Sequence, residues 1–267
     1  MTFKVKTLLA AALIALSGNA YAETIKVGVV PGVYADSIEA LVPEAKAAGL
    51  DVQVVEFSDW TTPNIALQAG DIDVNYFQHK PFLDNAVSQR GYDIVPAGIG
   101  TLANIGIYSL KYKDFASVPD GATVAIANDP VNQGRGLLLL QKGGLIKLKD
   151  GVGFKGSIDD IIDNPKHVTF KEVEGPQLAR ITGDVDLALG YPHFIVAAKA
   201  FDPSSGLIYS GVDDKQFAIV FAARKDKADS PALKKLVDIY QRSDAVKAAI
   251  DKAFGNDRKL YTLAWQP

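Results

Sequence analysis

From residue 23 to the end of the chain, short apolar runs alternate with stretches of helical periodicity. Residues 25–30 (IKVGVV) and 52–57 (VQVVEF) are rich in Val and Ile, which predicts strands. Between them, residues 37–48 carry helical spacing closed by Gly49, and Pro43 inside that pattern predicts a kink or a shortening. Thr62 followed by Pro63 reads as an N-cap with proline at the first helical position, opening a helix to about Ala69. Further strands are predicted at 74–76, 105–109, 123–127, 168–172, 187–189 and 217–223, with helices at 80–89, 132–142, 176–182 and 194–200. Ser230-Pro231 opens one terminal helix, and Ser243 caps another that Gly255 ends. Such alternation predicts α/β layers with mostly parallel sheets.

One internal echo suggests two related halves. Gly70-Asp71-Ile72-Asp73-Val74 and Gly183-Asp184-Val185-Asp186-Leu187 share the order Gly-Asp-apolar-Asp-apolar. Each follows a predicted helix and leads into a short strand. Each strand then runs into aromatic and histidine residues: Tyr76, Phe77 and His79 in one case, Tyr191, His193 and Phe194 in the other. Two lobes whose equivalent strand ends face one cleft would produce this pattern.

The first 22 residues change the picture at one end. Lys4 and Lys6 precede the apolar run 8–16 (LLAAALIAL), and Ala20-Tyr21-Ala22 places small residues before a cut at Glu23. This predicts an export signal cleaved after Ala22, because the run is shorter than the roughly 20 residues of a membrane span. Cysteine is absent, which excludes disulfides and lipid attachment at a cysteine. The expected product is therefore a periplasmic protein that is not a lipoprotein. A net charge of −3 offers no basic footprint for nucleic acid.

Candidate chemistry concentrates in two segments. Residues 128–135 (NDPVNQGR) follow the strand at 123–127; Asp129-Pro130 forces a turn, and Asn132 is a suitable N-cap for the next helix. A helix start favours anions, and Arg135 in that first turn has the geometry to grip a carboxylate through two parallel bonds. Residues 75–83 (NYFQHKPFL) lie at a strand end, where open α/β sheets bind ligands. There Tyr76 or Phe77 would wall an apolar group, with His79 as a polar contact. Trp60 sits in another loop after a strand. No nucleophile elbow, His-Glu-x-x-His site or phosphate loop occurs. Residues 98–103 match a dinucleotide fingerprint by letter, but a strand-like run follows where a helix is required. His79, His167 and His193 are too scattered for a zinc set. No catalytic residue, metal or cofactor is expected.

Taken together, residues 70–83 (GDIDVNYFQHKPFL), 128–153 (NDPVNQGRGLLLLQKGGLIKLKDGVG), 174–178 (EGPQL) and, more weakly, 186–189 (DLAL) resemble the NlpA-type family of methionine-binding proteins of ABC importers. The resemblance implies a two-lobed periplasmic-binding-protein fold, with residues 23–104 and 226–267 in one lobe and 105–225 in the other. It implies a ligand buried between the lobes, an ABC-importer permease as partner, and a monomer. By position, Trp60 falls where the family has an aromatic, and Phe77, His79 and Arg135 fall on ligand contacts. Phe77 would pack on the ligand side chain and Arg135 would hold its carboxylate. Two family asparagines are replaced, one by Tyr191 and one at or near Ile219; Ala103-Asn104 stands in place of an aromatic-Pro pair, and the lipid-bearing cysteine is missing.

The expected role is an extracytoplasmic solute receptor, not an enzyme. Its ligand is an amino acid, methionine by default; another amino acid, a dipeptide or an organic anion are the alternatives, as is a secreted sensor or adhesin. The expected site comprises Trp60, Tyr76, Phe77, His79, Asn132, Arg135, Tyr191 and His193.

Overall fold

The computed structural model describes residues 23–266, so the signal sequence expected at 1–22 lies outside them. Two five-stranded sheets with the same plan carry the fold. The first has the order Leu50–Glu56, Glu23–Val29, Val74–His79, Ile219–Arg224, Ile94–Ile99. The second has the order Thr169–Val173, Thr123–Ala127, Leu187–Gly190, Gly106–Tyr108, Ile208–Tyr209.

In each sheet the first three strands are parallel, and the fourth runs antiparallel to both neighbours. Four of the five strands in each sheet thus share one direction, in keeping with the expected mostly parallel sheets, and one reversed strand makes each sheet mixed. The cause is connectivity. The fourth strand of each sheet arrives from the other lobe, so its first residue lies beside the last residues of the parallel strands: Ile219 opposite His79, and Gly106 opposite Gly190. The strand Ile219–Arg224 precedes residue 225, where the return to the first lobe was expected. The return instead falls between Tyr209 and Ile219.

The sequence echo is a structural one. Asp73 accepts a hydrogen bond from the Lys26 backbone N–H and donates its own N–H to the Lys26 carbonyl. Asp186 does the same with Thr123. Both aspartates thereby fix the start of the strand in the third position against the strand beside it.

Each lobe has its own core. Val27, Ile38, Leu41, Phe221 and Leu236 are among the buried residues of the first, and Ile107, Ile126, Leu137 and Leu187 among those of the second. The first helix, Val33–Ala47, starts one turn before its expected place and runs through Pro43. An interior proline costs about 3 kcal/mol. The fully buried Ile38 and Leu41 on that helix each recover roughly 1.5–3 kcal/mol, which decides the outcome. Two side chains, Trp60 and Tyr209, pack against both cores.

Candidate functional site

The first-lobe wall is built by the strand Val74–His79 and the helix Lys80–Arg90. His79 is the N-cap of that helix. Its Nδ1 accepts the Phe82 backbone N–H at 3.1 Å, so the neutral ring carries its proton on Nε2. Nε2 donates across the cleft to Asn132 Oδ1 at 3.1 Å. Burial, and then the nearby Arg135 charge, push the His79 pKa down to about 3. Phe77, two residues earlier, faces the same cleft. Tyr76 does not: alternation along the strand turns it into the first core, where it stacks on Phe221 and bonds to Thr101 and Tyr240. Its expected place in the site is corrected accordingly.

The second-lobe wall begins with the strand Thr123–Ala127 and the helix Pro130–Lys142. Asp129, not Asn132, is the N-cap, and it accepts the Asn132 backbone N–H at 2.9 Å. Asn132 has a different task. Its Nδ2 donates to both Asp129 oxygens at 3.1 and 3.0 Å, which aims Oδ1 at the cleft. There Oδ1 accepts from His79 Nε2 and from Arg135 Nη1, each at 3.1 Å. Arg135 is only 7% exposed, and its guanidinium carbon lies 4.1 Å from the Phe217 ring centroid. Among the described residues no carboxylate comes within 4.0 Å of that guanidinium. Burial lowers its pKa, but an arginine stays charged in a protein interior. A buried cation without an anion is costly, so the arrangement calls for an anionic guest.

The rest of this wall follows the strand Leu187–Gly190. Tyr191 precedes the helix Pro192–Ala198, and His193 lies in its first turn. Tyr191 Oη and both ring nitrogens of His193 are buried with no hydrogen-bond partner, as is Trp60 Nε1 from the first lobe. Burial alone pushes the His193 pKa down to about 3; burial, and then the nearby Asp129 charge, raises that of Tyr191. Trp60 precedes the helix Thr62–Ala69, whose first N–H groups are capped by Asp59 rather than by Thr62. Its indole crosses the cleft and packs 5.7 Å from Tyr191. The ring lies over Gly175, where any Cβ would collide with it. That contact is a physical reason for glycine in the segment at 174–178.

These walls surround a narrow cavity with a free volume of about 30 Å³. Seven of the eight expected residues line it: Trp60, Phe77, His79, Asn132, Arg135, Tyr191 and His193. Sequence reasoning missed Tyr34 and Phe217. Tyr34 lies in the first turn of a helix that starts earlier than its spacing indicated, and its ring meets His193 edge-on at 5.1 Å. Phe217 sits in a short 3-10 turn before the strand Ile219–Arg224, not in the strand itself. Ile219 also lines the cavity.

The family model of the NlpA lipoprotein matches residues 25–261. The D-methionine-binding lipoprotein MetQ of Salmonella typhimurium is 43% identical over 264 residues, covering 95% of this chain and 97% of that protein. A crystal structure of the methionine-binding protein MetQ aligns with a TM-score of 0.80 at 42% identity, over 87% of this chain and 95% of that one. A nutrient-binding protein from Burkholderia cenocepacia bound to methionine aligns with a TM-score of 0.79 at 40% identity, over 86% and 97%. These matches establish the two-lobed α/β binding-protein fold. They also correct one expectation. The family and the Salmonella relative are named as lipoproteins, so the reading of this chain as a protein that is not a lipoprotein is withdrawn. That reading came from the absence of cysteine, and a residue count speaks to one attachment chemistry only. The chain belongs to the NlpA lipoprotein family.

Proposed function

We propose that this chain is the solute-binding component of an ABC importer, and that it holds a small carboxylate between its lobes for delivery to a permease. The observation that carries this reading is the buried Arg135. It sits in the interlobe cavity without a carboxylate partner, and Trp60, Tyr191 and His193, whose polar atoms are unpaired, line the same cavity. A guanidinium so placed binds a carboxylate through two parallel charge-assisted bonds. Phe77 and Trp60 supply apolar walls for the rest of the guest. Methionine is the first ligand to test, since relatives are named for binding it. No nucleophile–base pair is aimed into the cavity, which favours binding over turnover. The walls also meet through groups from both lobes, His79 with Asn132 and Trp60 with Gly175, so the guest and the contact between lobes are coupled.

Calorimetry tests this on protein unfolded and refolded to strip carried-over solute. Arg135→Ala is expected to weaken carboxylate binding by about 2–5 kcal/mol, which removes measurable heat. Unchanged affinity would take Arg135, and this reading with it, out of the site.

A further inference from the structure

The polar groups lining the cavity divide into those already bonded and those still open. Gln78 is fully engaged: its amide oxygen accepts from Asn64, and its nitrogen donates to Asn64 and Asn75. Asn132 Oδ1 already accepts from His79 and Arg135. Tyr191 Oη and both ring nitrogens of His193 bond to nothing, and neither does Trp60 Nε1. Tyr34, buried in the same lining, joins the open set. Among the described residues, the side-chain bond that reaches it runs from Ser37 Oγ to its backbone carbonyl, not to its hydroxyl. Its ring meets Tyr76 edge-on without joining the hydroxyl chain of Tyr76, Tyr240 and Ser37.

The open groups differ in kind. Trp60 Nε1 and the guanidinium of Arg135 can only donate, which suits a carboxylate. Tyr34, Tyr191 and neutral His193 can each accept. Burial raises the pKa of both phenols, so both are neutral at pH 7. They come from opposite lobes and flank one ring: His193 lies 5.1 Å from the Tyr34 ring and 6.1 Å from that of Tyr191. They also stand beside the anion site. After burial, the groups that most bias the ionisation of Arg135 are Tyr191 and then Tyr34. On Tyr191 itself, after burial, the Asp129 carboxylate acts more strongly than the Arg135 charge. That side of the cavity therefore favours a positive guest group.

We infer that Tyr34 and Tyr191 are the residues that recognise an α-ammonium: their phenol oxygens accept two of its protons and His193 the third, while Arg135 and Trp60 hold the adjoining carboxylate. One phenol comes from each lobe, so the ammonium ties the two walls together. This rests on the carboxylate-receptor reading above and adds the residues that read the second charge of an amino acid.

Calorimetry on refolded full-length protein at neutral pH tests it with L-methionine, D-methionine and 4-(methylthio)butanoate. The last keeps the carboxylate and the tail and lacks the ammonium; competition against methionine gives its affinity where its own heat is small. Wild type is expected to bind the better enantiomer about tenfold or more tightly than the acid. Tyr191→Phe removes a hydroxyl that bonds nothing in the free protein, so its fold should be retained. Tyr191→Phe and Tyr34→Phe should each weaken methionine about tenfold and leave the acid within about twofold. Any other pattern among the folded variants overturns the inference, as does a wild type that binds the acid as tightly as methionine or fails to bind methionine. The receptor reading is tested apart, by Arg135→Ala. It stands if that variant loses both kinds of probe, and falls if either binds as it does to wild type.

Discussion

The two strand ends that face the cleft share a scaffold and differ in what they leave unbonded. Both follow the same Gly-Asp-apolar-Asp lead-in, both are fixed by the second aspartate of that lead-in to the backbone of the neighbouring strand, and both run into a helix with proline in its first turn. Both deliver a buried, neutral histidine with a pKa near 3. His79 spends both ring nitrogens within the protein, one on its own helix and one across the cleft. His193 spends neither. A repeated frame thus makes one wall rigid and leaves the other to be completed by a guest. His79 positions; His193 and Tyr191 are available to recognise.

Acid gives the largest expected effect, and it treats the two walls alike. Each histidine is neutral when folded, but in the unfolded chain it takes up a proton below its ordinary pKa of about 6.5. The stability that each one confers is therefore present above that value and is lost as pH falls toward about 3. The expected slope is about 1.4 kcal/mol per pH unit for each histidine. Urea unfolding from pH 7 to pH 4 should show it, and His193→Leu should remove about half of this contribution.

Next comes the meeting of the walls. Gly175→Ala places a methyl group where the Trp60 ring packs, at a cost of about 1–3 kcal/mol to the form in which the lobes touch. Ligand affinity should fall accordingly while the thermal midpoint of the free protein stays near that of wild type. X-ray scattering of the variant with ligand added should give a larger radius of gyration than wild type. Equal radii would remove this contact from lobe closure.

The smallest effect separates the histidines directly. At pH 8, His79→Leu strands the Phe82 N–H and takes one partner from Asn132, so stability should drop by about 1–3 kcal/mol. His193→Leu deletes two unpaired nitrogens, so stability should hold or rise while ligand affinity falls. Equal destabilisation by both would end the distinction drawn here.

Much of this was legible in the chain. The strand at Thr123–Ala127 has the bounds its Val and Ile spacing indicates, and most of the other predicted strands fall within a residue or two of their observed bounds. The paired Gly-Asp motifs pointed to equivalent strand ends, six of the site residues follow from those ends and from the turn before Arg135, and Trp60 follows from the loop after another strand. What escaped depends on contacts distant in sequence. The strand Ile94–Ile99 is interrupted by Pro96 and Gly98, and its identity comes from pairing with Ile219–Arg224. The roles of Asp129 and Asn132 were misassigned because both residue types cap helices, and only the His79 partner across the cleft explains why Asn132 turns its oxygen that way. Tyr76 is a different case: strict alternation with Phe77 and His79 already placed it on the opposite face.

The account stands on a carboxylate held by Arg135 inside the interlobe cavity. A crystal structure of the refolded protein with its tightest-binding carboxylate tests this most directly. The expected result is both carboxylate oxygens at about 2.7–2.9 Å from the guanidinium, with Trp60, Tyr191 or His193 bonded to the remaining polar atoms. Ligand density confined to the outer groove between Lys80 and Phe154, with Arg135 still bonded only to Asn132, would contradict it.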